Sequence, residues 1–206
     1  KDIPRARAYA LHTYGSLLVW LQNFDEARSV AEECLSLFRA AGNREGEVDG
    51  LILLCNIFMF KYDVAAAENY GEQAIQLSQS LGDPWRQAGA LYNLGWVARD
   101  YDLKFTRWDK AISLLREVGD QVSLANALGW LGQFRVLNGD FELAETYLDE
   151  AMQLWKSNKR ANMWDNAKLA KSLIVTMRGD YEQANSMLQE IMVSAEETGN
   201  RMSKLW

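Results

Sequence analysis

Apolar residues recur at spacings of three and four over stretches of about 20 residues. That is the period of an amphipathic helix, not the alternation of a strand. Short polar punctuation separates the stretches, and it is of two kinds. Gly42-Asn43, Gly82-Asp83, Gly119-Asp120 and Gly199-Asn200 form one series, with steps of 40, 37 and 80 residues. Asn23-Phe24, Asp63-Val64, Asp100-Tyr101, Asp140-Phe141 and Asp180-Tyr181 form the other, with steps of 40, 37, 40 and 40. Two independent markers share one period and one three-residue deficit, so the pattern predicts a series of helix pairs.

Aligned on that period, the units show columns. In the first helices one column reads Leu11, Leu51, Leu91, Leu128, Lys168, and the next Tyr14, Leu54, Leu94, Leu131, Lys171. A third is small: Gly15, Cys55, Gly95, Gly132, Ser172. In the second helices Ala27, Ala67, Ala144 and Ala184 align, with Lys104 as the odd member, followed by Cys34, Ala74, Ala111, Ala151 and Ile191. Small residues are needed where two antiparallel helices cross closely. A mid-helix Gly costs roughly 1 kcal/mol against Ala, which packing must offset. The turns agree: Gly at 42, 82, 119 and 199 suits a left-handed helix end, and Asp83-Pro84 places an N-cap before a Pro at the first helical position. Asn158 is the expected cap in Ser157-Asn158-Lys159-Arg160, which closes the fourth unit.

This pattern resembles the tetratricopeptide repeat in a long form, over essentially the whole chain. The stretches that carry it are Leu91-Tyr92-Asn93-Leu94-Gly95, Leu128-Gly129-Trp130-Leu131-Gly132, Gly139-Asp140-Phe141 through Ala144, and Gly179-Asp180-Tyr181 through Ala184. The resemblance implies an all-α fold, a right-handed superhelical α-solenoid of about five antiparallel helix pairs. The expected repeats are residues 5–43, 44–83, 84–120, 121–160 and 161–200 of a single domain, with 201–206 opening a truncated sixth. Two departures stand out. Unit three lacks about one helical turn between Ala98 and Tyr101 and carries Lys104 and Trp108 in its second helix; unit five puts Lys168 and Lys171 in core columns. Both are expected to pack irregularly.

Composition narrows the function. The chain has 206 residues, 49% hydrophobic and 11% aromatic, enough for a packed core. Its formal net charge of −6, without a basic block, speaks against direct nucleic-acid binding. One histidine and two cysteines, Cys34 and Cys55, leave no metal-ligand set and no disulfide framework. The apolar runs are too short to span a bilayer, and no signal peptide is visible. No phosphate-cradling loop or nucleophile elbow occurs, so the expectation is a non-enzyme that needs no cofactor and works in the cytoplasm. The first residue is not Met, which suggests an excised piece whose ends pair with another copy.

In such an array the first helices line the concave side. The helical spacing left over from core packing nominates Tyr9, His12, Ser16 and Trp20 in unit one, and Asp49, Ile52, Asn56 and Phe60 in unit two. Units three and four give Gly89, Tyr92, Asn93, Trp96 and Arg99, then Asn126, Gly129, Trp130, Gln133 and Leu137. Unit five gives Asn166, Leu169, Leu173 and Met177. The strongest ligand candidates are Tyr9, His12, Trp20, Asn56, Tyr92, Asn93, Trp96, Arg99, Trp130 and Gln133. Aromatic faces with polar tips, interleaved with amides that both donate and accept, suit a neutral polar ligand: a peptide backbone or a sugar-like molecule. A Trp at helical spacing is core more often than contact, and Trp108 and Trp155 read as core. Trp85 and Trp164, at helix starts, read as packing on the preceding unit. Cys34 and Cys55 read as small hydrophobes, and Lys168 and Lys171 as side chains that snorkel to water.

The array also resembles those of bacterial signal-transducing ATPases with numerous domains (STAND type) and of maltose-regulator-type and antibiotic-regulator-type transcription activators. That resemblance implies an effector-sensing module governing an upstream ATPase domain, with a peptide, protein or small neutral effector as partner. A plain protein-binding scaffold is the alternative.

Overall fold

The computed structural model describes residues 3–157 and 164–198. Ten α-helices follow in order: α1 (Ile3–Trp20), α2 (Phe24–Ala40), α3 (Arg44–Phe60), α4 (Val64–Leu81), α5 (Pro84–Val97), α6 (Tyr101–Val118), α7 (Gln121–Asn138), α8 (Phe141–Ser157), α9 (Trp164–Met177) and α10 (Tyr181–Thr198). No strand occurs among the described residues. Odd and even helices pair into antiparallel hairpins, and the architecture is an all-α helical repeat of the solenoid class.

The polar punctuation works as capping. The side chains of Asn43, Asp63, Asp83 and Asp120 each accept a hydrogen bond from the backbone N–H three residues on, at 3.0–3.1 Å. They satisfy donors that the first helical turn leaves orphaned. At the other ends Gly82 and Gly139 adopt the left-handed conformation, φ 64° and 87°. Gln22 and Tyr62 take the same conformation at φ 59° without being glycine, an arrangement that no local residue preference announces. Asn158, Gly199 and the segment 201–206 lie outside the described residues.

The small columns are sites of close approach. A Cβ on Gly132 would stand 2.7 Å from Leu148 Cγ, across the hairpin α7–α8. One on Gly95 would stand 2.2 Å from Trp108 Nε1, and one on Gly15 3.0 Å from Leu53 Cδ2 of the next hairpin. Between hairpins, Leu35 of α2 lies over Gly50 of α3, and Leu94 of α5 over Gly71 of α4. Ala27, Ala67 and Ala144 are fully buried, as are Cys34 and Cys55.

The chain divides into two compact units, Lys1–Val118 and Gly119–Trp206. In the first, α3 packs against α1 and α5, so three first helices lie side by side. In the second, α7 packs against α9 in the same way.

Unit three explains its own irregularity. Its first helix, α5, is 14 residues long where α1, α3 and α7 have 17 or 18. The chain leaves it at Ala98, ψ 125°, and three carbonyls of the last turn are met by side chains of α6. Lys104 Nζ donates to Gly95 O at 2.7 Å and Trp96 O at 3.4 Å; Arg107 Nη1 donates to Leu94 O at 3.0 Å. Two cations at a helix C-terminus also suit the sign of its dipole. Burial, and secondarily Arg107, push the Lys104 ammonium below the ordinary lysine range. In unit five Lys168 and Lys171 do reach outward, to Glu190 at 3.2 Å and Asp149 at 2.5 Å.

One polar junction sits between hairpins in the first unit. Arg86 grips Asp49 through two hydrogen bonds, Nε to Oδ1 at 2.7 Å and Nη2 to Oδ2 at 3.0 Å, and donates to Asp83 Oδ2 at 2.6 Å. Burial works against the Asp83 carboxylate, but the backbone and guanidinium hydrogen bonds from Arg86 outweigh it and hold its pKa below the usual value of 3.8.

Two predictions follow from these contacts. Gly132→Leu overpacks the α7–α8 crossing and lowers stability by about 2–3 kcal/mol. Gly139→Ala, in open space but at positive φ, costs about 1 kcal/mol. Thermal unfolding checks the order, and equal shifts refute it. A depressed carboxylate pKa gives stability that is present above the unfolded value and lost as pH falls through the folded one. Asp83→Asn, which keeps the cap but not the charge, is therefore less stable than wild type at neutral pH by up to about 1 kcal/mol. The two unfolding free energies draw together as pH falls through the lowered folded pKa of Asp83; urea titrations across pH that show a constant gap contradict the assignment.

Candidate ligand-binding face

The period of 40 places residues of α1, α3 and α5 in rows that run across the three first helices. One row is His12, Ile52, Tyr92; the next is Ser16, Asn56, Trp96. All six are half-buried. Such values suit a lined face better than a core or a fully solvated surface. Gly89 adds a low point, since a Cβ there would meet only Ile52 Cδ1, at 3.6 Å.

Asn56 stands at the middle of the second row. Its amide makes no hydrogen bond to any described residue, and it is not buried away from solvent. It offers donors and an acceptor to whatever occupies the face. Ser16 beside it donates its hydroxyl to His12 O at 2.9 Å. On the other side Trp96 is held edge-on to Trp108, ring centroids 5.5 Å apart, and to Tyr92 at 6.5 Å. Trp108 is fully buried and its indole N–H donates to Tyr92 O at 2.9 Å. The core tryptophan of α6 thus fixes the ring at the face. Burial pushes the Tyr92 phenol up to about 12, against a hydrogen bond with Trp96. It is neutral at physiological pH. Asp49, the one carboxylate nominated here, is closed by Arg86.

The structure sorts the nominated residues. His12, Asn56, Tyr92 and Trp96 come together on this face. Tyr9 lies beside it, half committed to structure: its ring meets Phe38 edge-on at 5.0 Å and its hydroxyl accepts from Asn43 at 3.1 Å. Trp20 is 86% exposed at the end of α1, and Arg99 is exposed in the link after α5, so both stand at the rim. Asn93 is a correction: it is only 7% exposed. It shares its register with Leu53, which reaches across to Gly15 of the preceding hairpin, so the column packs rather than faces outward. Trp130 and Gln133 are half-buried on α7 in the second unit.

Two further nominations there are structural. Asn126 accepts the indole N–H of buried Trp155 at 3.1 Å, and Gly129 lies beneath that ring, where a Cβ would stand 2.4 Å from it. Trp85 is half exposed, with the Arg86 guanidinium 5.8 Å from its ring centroid. The side chains of Trp164 and Asn166 lie outside the described residues. Sequence reasoning missed Arg86, whose only signal was an Arg three residues after the Asp83 cap and 37 residues after Asp49, and did not foresee that Trp108 would support Trp96.

The face has little chemistry of its own. His12 has no side-chain partner among the described residues. Burial pushes both the Cys34 and the Cys55 thiols up to about 12, the opposite of what a nucleophile needs. No group of three His, Cys, Asp or Glu suited to a metal ion occurs among the described residues, and no described helix is long and apolar enough to cross a membrane.

No protein-family model and no curated protein matches the chain. Solved structures do. A Rap protein complexed with competence and sporulation factor superposes with a TM-score of 0.77 at 13% identity, over 98% of this chain and 62% of that one. Aspartyl phosphate phosphatase F from Bacillus subtilis gives 0.81 at 15% identity, over 96% of this chain and 51% of that one. BtubC from P. vanneervenii gives 0.80 at 14%, over 96% and 83%. The chain therefore spans about half to two-thirds of the length of the Rap protein and of aspartyl phosphate phosphatase F. At these identities the likeness is one of fold, and the fold is a tetratricopeptide-type helical repeat.

Proposed function

We propose that the chain is a non-catalytic binding module whose face across α1, α3 and α5 holds a peptide segment of a partner protein. The observation that carries this reading is the unpartnered amide of Asn56, set between a hydroxyl and a fixed indole on a face without open charge. An extended backbone presents alternating N–H and C=O groups, which an amide satisfies in both senses. Apolar side chains of the same segment fit the shallow place between Ile52 and Gly89. A structural neighbour is a Rap protein complexed with competence and sporulation factor, which supports ligand capture by this kind of fold.

The more specific form of the proposal is a cytoplasmic effector sensor within a larger bacterial regulator of the signal-transducing ATPase type. There, a ligand bridging three hairpins restrains their flexing and signals to an ATPase domain. It does so only to the extent that it binds one state better than the other. A scaffold without switching is the second reading; it needs the same face and no coupling.

A display library of unstructured peptides without net charge is the first probe, and a panel of neutral sugars the second, both read by intrinsic Trp fluorescence. For a selected peptide, Asn56→Ala weakens binding about tenfold. It changes unfolding free energy by less than about 0.5 kcal/mol, because no protein hydrogen bond is lost. Gln121→Ala, at an exposed position of α7 in the second unit, leaves affinity unchanged. Wild-type affinity in Asn56→Ala rejects the site, and sugar binding without peptide binding replaces the ligand class.

A further inference from the structure

Packed helix axes settle about 8–10 Å apart. In the first unit α3 packs against both α1 and α5. Each of the three places one residue in the row His12, Ile52, Tyr92 and one in the row Ser16, Asn56, Trp96. The two rows are one helical turn apart. A segment laid between them, across the helices, meets such a pair once per helix spacing. Its side chains stay in register with the pairs only if its own repeat has that length. A β-strand returns a side chain to the same face after two residues, about 7 Å, and has slipped by several ångströms at the third helix. Polyproline II has three residues per turn at about 3.1 Å each, so its repeat of about 9 Å matches the helix spacing. An α-helical ligand satisfies its own backbone and leaves the Asn56 amide only side chains to bond.

The chemistry of the face selects the same conformation. An indole N–H can only donate, so in the hydrogen bond between Trp96 and Tyr92 the phenol oxygen accepts and keeps its own proton to give. The Asn56 amide adds two N–H donors. Polyproline II makes no internal hydrogen bonds, so its carbonyls are open to both groups. Proline in the ligand removes the N–H groups that would need acceptors in return. The rings suit proline as well. Tyr92 and Trp96 meet at 77° with centroids 6.5 Å apart, two walls of a corner that a flat pyrrolidine ring can fill. Trp108 holds Trp96 from behind, so the corner is formed before a ligand arrives. A stiff ligand on a stiff corner loses little conformational entropy on binding.

We infer that the peptide held by this face is a proline-rich segment in the polyproline II conformation, laid across α1, α3 and α5 with every third residue meeting the next helix. The inference rests on the binding role proposed above and adds the class of ligand. A proline seats in the corner of Tyr92 and Trp96, and a carbonyl close by accepts from the Asn56 amide.

Three uncharged synthetic nonapeptides, capped at both ends, test it by intrinsic Trp fluorescence of the full chain. The first is three Leu-Pro-Pro repeats. The second has the same composition with the leucines together, which keeps the conformation and removes the three-residue period. The third is three Leu-Ala-Ala repeats, which keeps the period and removes the conformational bias. The first binds about tenfold more tightly than either control, and Asn56→Ala weakens it about tenfold. Equal affinity for either control overturns the inference, as does unchanged affinity in Asn56→Ala. Library-selected peptides that bind through Asn56, with no competition from the Leu-Pro-Pro peptide, overturn the ligand class and leave the binding role standing. If neither the library nor the nonapeptides bind, both proposals fall.

Discussion

Two antiparallel helices can approach only as closely as the side chains between them allow, and every larger feature of this protein depends on that spacing. At Gly132 and Gly95 one helix presents no side chain, and the partner fills the space with Leu148 or the indole of Trp108. Close crossing lets each hairpin bury large residues on few elements. It also sets the pitch at which the next hairpin can stack, with Leu35 seated over Gly50. The period of 40 is thus a packing distance written in sequence. Once it is fixed, the residues left over on the first helices fall in rows whether or not they bind anything.

The same contacts connect core to face. Trp108 occupies the hollow that Gly95 leaves, donates to Tyr92 O and holds Trp96 edge-on. A ligand meeting Trp96 meets a ring whose orientation was set by folding. Less conformational entropy remains to be lost on binding. Unit three reaches this arrangement with a shortened α5, whose last carbonyls are met by Lys104 and Arg107 instead of another turn of helix. The three-residue deficit and the odd lysine are two parts of one local solution.

Helix positions, caps and small columns were legible because each follows from a short-range rule: period, N-cap chemistry, close crossing. The lysines of unit five were legible for a similar reason, since a long aliphatic stem can reach water from a packed column. The face was legible only in part. Helical spacing separates core from surface to within one residue, and Asn93, adjacent to Tyr92, fell on the wrong side of that line. Asn126 and Gly129 failed differently. Their roles depend on the ring of Trp155 from another helix, and a pattern read along one helix carries no such information. The left-handed Gln22 and Tyr62 were hidden because polar and aromatic residues stand where other units use Gly.

The central claim is that the stacked first helices of the first unit present one binding face centred on Asn56. The most direct measurement is the side-chain amide NMR spectrum of isotope-labelled protein, recorded as a selected peptide is added. The account predicts that the Asn56 amide pair and the Trp96 indole resonance shift together and saturate at one affinity, while the Asn126 amide, held by Trp155, stays in place. Saturable binding that leaves Asn56 and Trp96 unmoved contradicts it.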